Sequence, residues 1–185
     1  QKEGRWEMEG DPTESALVVS ALKAGLNLEE EQRLKRRLDV IPFESQHQYM
    51  ASLHDTAPNS SKMVYIKGST DAILDQCTLE LDPSGRPIPI NLDNIRQLET
   101  VLAKQGLRVL AFARKEVPPQ QTSIGHEDVT SELVFLGLQG MIDPPRPEAI
   151  KAVHACQTAG IQVKMITGDH ALTAMAIARQ IGLDR

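Results

Sequence analysis

Thr167-Gly168-Asp169 is a first place where residue types and spacing add up to chemistry. The tripeptide follows the apolar run Ile161–Ile166 and precedes a helical pattern. It therefore falls at the carboxyl end of a predicted strand, where open α/β sheets bind ligands. Gly168 lets a backbone approach a ligand closely, and Thr167 offers a hydroxyl and an amide to a phosphate oxygen. The same residues also fit a plain helix N-cap, with Thr167 or Asp169 satisfying orphan amides. Lys67-Gly68 closes another predicted strand: either a point charge reaching a phosphate beside a bare backbone, or a solvated lysine before a turn. Arg108 lies in the apolar stretch Leu107–Ala113, as the outward member of the alternation or as an anion contact in a pocket. Phe43 follows Pro42 and precedes a polar run, so it is either core or a platform on which a base stacks, worth about 1–3 kcal/mol. Glu14 reads first as the acid of a capping box.

Other reactive residue types offer less. Cys77 and Cys156 lie far apart with no CxxC pattern, which excludes a disulfide scaffold, and Cys156 falls on an apolar helical face as a core residue. His47, His54, His126, His154 and His170 have no metal-ligand spacing, so no metal site is expected. The chain has 185 residues, 20 basic against 25 acidic, for a net charge of -5. That balance argues against nucleic acid as a partner. No apolar run approaches the roughly 20 residues of a membrane helix, and the first ten residues resemble no signal peptide; the expectation is a soluble cytosolic chain.

These residues need elements to hold them. Asp11-Pro12-Thr13-Glu14 is a helix start, with Pro12 suited to the first turn and Gly25 past the end. A charged helix is predicted from Leu28 to about Arg37, then short strands over Leu38–Phe43, Tyr49–His54 and Met63–Lys67. Ser69 caps a short helix to Gln76, Asp82–Pro87 is a turn, Asn91–Gln105 a helix, and Leu107–Ala113 and Leu133–Ile142 are strands around a polar loop from Pro118 to about Asp128. Asp143-Pro144-Pro145-Arg146-Pro147 removes amide donors and cannot continue a sheet, so a domain boundary is placed there. Beyond it lie helix Pro147–Ala159, a buried parallel strand Ile161–Ile166 and a helix from about Ala171 to Ile181.

Six segments recur in one order: Gly10-Asp11-Pro12-Thr13-Glu14, Pro42-Phe43-Glu44-Ser45, Lys67-Gly68, Gly106-Leu107-Arg108-Val109-Leu110, Asp143-Pro144-Pro145-Arg146 and Met165-Ile166-Thr167-Gly168-Asp169. That order resembles the nucleotide-binding domain and adjoining phosphorylation-domain segment of P-type cation-transporting ATPases, most closely the calcium-pump-like branch with its bacterial members. The resemblance implies an α+β fold: a twisted antiparallel sheet with flanking helices over residues 1–142, followed over 143–185 by a hinge and a partial α/β segment of haloacid-dehalogenase type. It implies ATP with Mg2+ as ligand, Phe43 stacking on adenine, Glu14 near the adenine amino group, and Lys67 with Gly68 lining the pocket. It further implies that Arg108 contacts the phosphates, that Asp143 and Arg146 form the hinge, and that Thr167, Gly168 and Asp169 face a phosphorylated aspartate. The implied partners are the remaining phosphorylation, actuator and transmembrane domains of a pump in the cell membrane.

Departures from the family pattern carry their own expectations. Relatives often place a Lys or Arg shortly after the stacking Phe, whereas Ser45-Gln46-His47-Gln48-Tyr49 stands here, so that one cationic contact is either missing or replaced by His47. Asp71 stands where relatives commonly have Glu. No DKTGT acceptor sequence occurs, nor a magnesium loop, so the chain reads as an excised cytoplasmic fragment that binds nucleotide without turning it over. Two other readings stay open. One is a phosphatase of haloacid-dehalogenase type, which the lack of a DxD pair disfavours. The other is a regulatory or interaction domain with a vestigial pocket.

Overall fold

The computed structural model describes residues 11–56, 60–142, 144–167 and 171–183. Two helices open it: α1 (Pro12–Lys23) and α2 (Leu28–Leu34). Asp11 caps α1 by accepting from the Thr13 and Glu14 amides, and Asn27 caps α2 in the same way. Then follow β1 (Arg37–Glu44), β2 (Tyr49–His54), β3 (Lys62–Gly68), α3 (Thr70–Leu74), β4 (Cys77–Leu81) and β5 (Pro87–Pro89). Next come α4 (Leu92–Lys104), β6 (Arg108–Val117), a 3-10 turn at His126–Val129 and β7 (Leu133–Met141). Helices α5 (Pro147–Thr158) and α6 (Ala171–Gln180) complete the described residues. None of the helices among them is long and apolar enough to cross a membrane.

The seven strands form one sheet in the order β1-β2-β3-β6-β7-β4-β5. The fold is α+β, as expected, but the sheet is mixed, because β4 pairs with β7 in parallel while every other neighbouring pair is antiparallel. Between β4 and β7 the chain passes through β5, α4 and β6, and so returns to β4 running in the same direction, as a parallel pair requires. Strands β4 and β5 are additions to the sequence reading. The alternation Cys77-Thr78-Leu79-Glu80-Leu81 is the period-two signal for the first of them.

Strict alternation decides which face is core. In β2 the odd positions Tyr49, Ala51 and Leu53 are buried, and in β3 Val64 and Ile66 are. They pack with Ala111, Ala113, Leu133 and Phe135 and with the helical residues Ile73, Leu74 and Ile95. The loop before β7 is no free surface segment. Lys62 Nζ donates to the Gln121 carbonyl at 2.7 Å, the Ile124 amide donates to Asp39 Oδ2 at 2.9 Å, and Val129 is buried. These amide donors, from Ile124 first and then Val40, hold the Asp39 carboxyl below its ordinary range.

The predicted strand Ile161–Ile166 does not form. Residues 161–167 have no strand pairing, and Ile166 is 97% exposed. A buried parallel strand needs neighbours on both sides, and none of the seven strands lies beside this segment. For the same reason α5 buries none of its residues, and Cys156 is only partly covered rather than core.

Candidate functional site

One cleft of about 560 Å³ opens at the end of the sheet where β2 begins, β3 ends and β6 begins. Register puts its main side chains on one face. Lys67 is directly opposite Met50 on β2 and Phe112 on β6, and Arg108 follows two-residue steps from Phe112. The Schellman closure of α4 delivers Arg108 there. Leu107 N donates to Leu102 O and Gly106 N to Ala103 O, with Gly106 at φ +78°, a conformation glycine adopts at little cost.

Phe43 reaches the cleft through a bulge. Ile41 pairs with Ala51 and Glu44 with Tyr49, so Pro42 and Phe43 together oppose Met50. Pro42 has no amide to give the ladder, which makes this the natural place for the extra residue. The ring is 60% exposed and lines the cleft, not the core. Gly68 serves a different neighbour from the one its sequence position indicates. A Cβ there would lie 2.8 Å from the Tyr49 Cβ and closer still to the Gln48 carbonyl oxygen, so the glycine lets the end of β3 press against the β1–β2 turn.

Glu14 does not close a capping box: its carboxylate forms an ion pair with Lys67. Amides of Glu14 and then Thr13 hold the Asp11 carboxyl low, with a smaller contribution from the Arg108 charge. Thr70 lines the same cleft, is 3% exposed, and its hydroxyl has no hydrogen-bond partner among the described residues. The cleft thus offers an aromatic face, two cations, carboxylates and an unsatisfied hydroxyl. That inventory suits a flat, partly anionic ligand with hydrogen-bonding edges, and the volume lies within the ordinary range of ligand sites.

Glu14, Phe43, Lys67 with Gly68, and Arg108 therefore come together from four different parts of the chain. Arg146 stands at the N-cap of α5 and Thr167 is exposed; neither lines this cleft. Asp143, Gly168 and Asp169 lie outside the described residues. His47, one of the two alternatives for the family's cationic contact, does not line the cleft, whereas Gln48 does. Thr173 of α6 is a lining residue that sequence reasoning did not single out. It is 4% exposed and donates from Oγ1 to the Leu107 carbonyl at 3.2 Å. Its signal is a hydroxyl amid the apolar residues of α6, a pattern equally at home on a helix surface.

Comparison with known proteins identifies the family. The profile described as P-type ATPase, cytoplasmic domain N, matches residues 1–148. The chain is 53% identical over 178 residues to the cation-transporting ATPase pma1 of Synechocystis, covering 96% of the chain and 19% of that relative. It is 41% identical to the probable cation-transporting ATPase F of Mycobacterium tuberculosis over 97% of the chain and 20% of the relative. With the calcium-transporting ATPase 1 of Bacillus cereus it shares 35% identity over 94% of the chain and 19% of that protein. The chain spans about a fifth of the length of these relatives. With a profile match across most of its length and relatives that align over nearly all of it, this chain belongs to the P-type ATPases, residues 1–148 matching their cytoplasmic N domain.

Proposed function

We propose that the cleft binds MgATP, with adenine stacked on Phe43, Glu14 accepting from its amino group, and Lys67 beside Gly68 lining the pocket. Arg108 contacts the phosphates. The observation that carries this reading is the bulge that holds a largely exposed phenyl ring over the same cleft as Lys67 and Arg108. An exposed aromatic gains most from a flat partner, and the two cations from an anionic tail. Binding of a nucleotide there rearranges the Glu14–Lys67 ion pair.

In the longer protein, residues 143–185 begin a phosphorylation domain of haloacid-dehalogenase type, and Asp143 with Arg146 form its hinge. Rigid-body rotation about that hinge brings the γ-phosphate to an aspartate on the adjoining domain, near Thr167, Gly168 and Asp169. The aspartyl phosphate then drives cation transport, and the relatives' names favour the calcium-pump-like branch. The 185 residues contain no DKTGT sequence, so the chain alone binds nucleotide without steady turnover.

Calorimetric titration with ATP tests the reading. Saturable binding that Phe43→Ala and Lys67→Ala each weaken severalfold is the expected result. Indifference to both substitutions overturns it, and hydrolysis of a simple phosphomonoester by the wild-type chain would point to a phosphatase instead.

A further inference from the structure

Glu44 and Phe43 are neighbours in β1, yet they serve opposite sides of the β1–β2 hairpin. Phe43 turns into the cleft, while Glu44 pairs with Tyr49. The turn that follows is tight: the His47 and Gln48 amides both donate to the Glu44 carbonyl, at 3.0 and 2.8 Å, and Gln48 takes φ +56°. This sets the Glu44 and His47 side chains close together, with Glu44 Oε2 and His47 Nε2 3.6 Å apart. Against them lies His126, whose ring centroid is 4.1 Å from that of His47 with the planes tilted by 31°. One ligand-capable atom from each of Glu44, His47 and His126 lies within 4.8 Å of the others.

We propose that Glu44, His47 and His126 form a binding site for a zinc-class divalent cation, on the side of the β1–β2 hairpin away from the nucleotide cleft. Two imidazoles and a carboxylate form a ligand set that suits zinc and its neighbours over magnesium or calcium, which take oxygen. Bonds of about 2.0–2.1 Å at a tetrahedral centre place neighbouring ligand atoms about 3.4 Å apart. The Glu44–His47 separation already matches, and side-chain rotation at this partly exposed turn closes the remainder. The Gln46 amide nitrogen bridges these two, 2.9 Å from Glu44 Oε2 and 3.1 Å from His47 Nε2. Two acceptors thus converge on one electropositive group. The amide leaves when a metal enters.

His126 is prepared in a further way. Its Nδ1 lies 2.6 Å from the Tyr49 hydroxyl, which holds the ring and leaves Nε2 as the nitrogen to ligate a cation. In the metal-bound tautomer Nδ1–H donates to the tyrosine oxygen. The turn carrying His126 is itself anchored, by Val129 in the core and by the Gly125 amide donating to Asp128 Oδ2 at 2.8 Å. The surrounding solvent supplies the fourth ligand position.

Titration of the 185-residue chain with Co2+ and then Zn2+, without nucleotide, tests this site separately from the nucleotide reading. The expected result is one equivalent of Co2+ with visible ligand-field bands of four-coordinate character, displaced by Zn2+. His47→Ala and His126→Ala each weaken binding at least tenfold, while His154→Ala, on exposed α5, leaves it unchanged. In the wild-type chain Zn2+ shifts the ring resonances of His47 and His126 in NMR spectra, a readout that needs no variant. Absence of saturable one-to-one binding, equal affinity in the His47→Ala/His126→Ala double variant, or ring shifts confined to other histidines would overturn it.

Discussion

The sheet and the segment after β7 respond differently to the same kind of sequence signal. In β2 and β3, alternating apolar residues find partners on both sides and a helical layer above, and they vanish from solvent. In residues 161–166 an equally apolar run finds no neighbouring strand and stays unpaired, with Ile161 and Ile166 exposed. Helices are less dependent on neighbours, because their backbone hydrogen bonds close within the segment. So α5 and α6 form where the strand between them does not. A strand is a property of a sheet; a helix closes its own backbone bonds.

Breaking each region in turn should expose that contrast. Leu53→Ala removes a fully buried side chain from β2 and should cost about 2–5 kcal/mol, read from urea unfolding. Ile166→Ala should stay within about 0.5 kcal/mol in the same assay, because its side chain already meets solvent. A comparable loss from both would mean that the 161–166 segment is packed in solution.

A smaller effect separates the two cysteines. Burial pushes the Cys77 thiol up to about 12 from its ordinary 9.0. The folded protein therefore keeps a proton that the unfolded chain releases. The stability linked to this group is fully present below pH 9 and is lost as pH rises from there toward 12. Urea midpoints should fall across that window, and Cys77→Ser should flatten the fall. A thiol reagent at pH 8 should modify Cys156 on α5 well before Cys77. Equal labelling rates would contradict the difference in burial.

A local effect concerns the tie between the regions. Thr173→Val removes the hydrogen bond to the Leu107 carbonyl and should cost about 1 kcal/mol. Amide exchange should accelerate in α6 while β2 and β3 keep their protection. Uniform acceleration across the chain would show that the two regions open together.

Much of this architecture was legible from local chemistry. Tyr49–His54 shows its alternation over the full strand, Ser69 caps α3, and Gly106 marks the end of α4. The cleft residues were legible only as an ordered set, since an exposed phenylalanine and a core one look alike in sequence. What makes Phe43 a cleft residue is the bulge opposite Met50, and that depends on pairing with a strand not yet formed when the sequence is read. The parallel placement of β4 depends on where β7 lands. Tyr49 and His126 are 77 positions apart, so only the tethering of the loop by Lys62 and Asp39 explains their meeting. Ile161–Ile166 fails for the opposite reason: its pattern fits a sheet that the rest of the described chain does not build.

The outermost strands of the sheet are β1 and β5, and both carry proline: Pro42 in the first, Pro87 and Pro89 in the second. An unpaired strand margin is a template on which another polypeptide can polymerise, and prolines and bulges on such a strand blunt it. The residue that bends β1 to present its phenyl ring therefore also roughens a margin that would otherwise recruit stray chains. Replacing it would expose the domain to self-association as well as misplacing an aromatic.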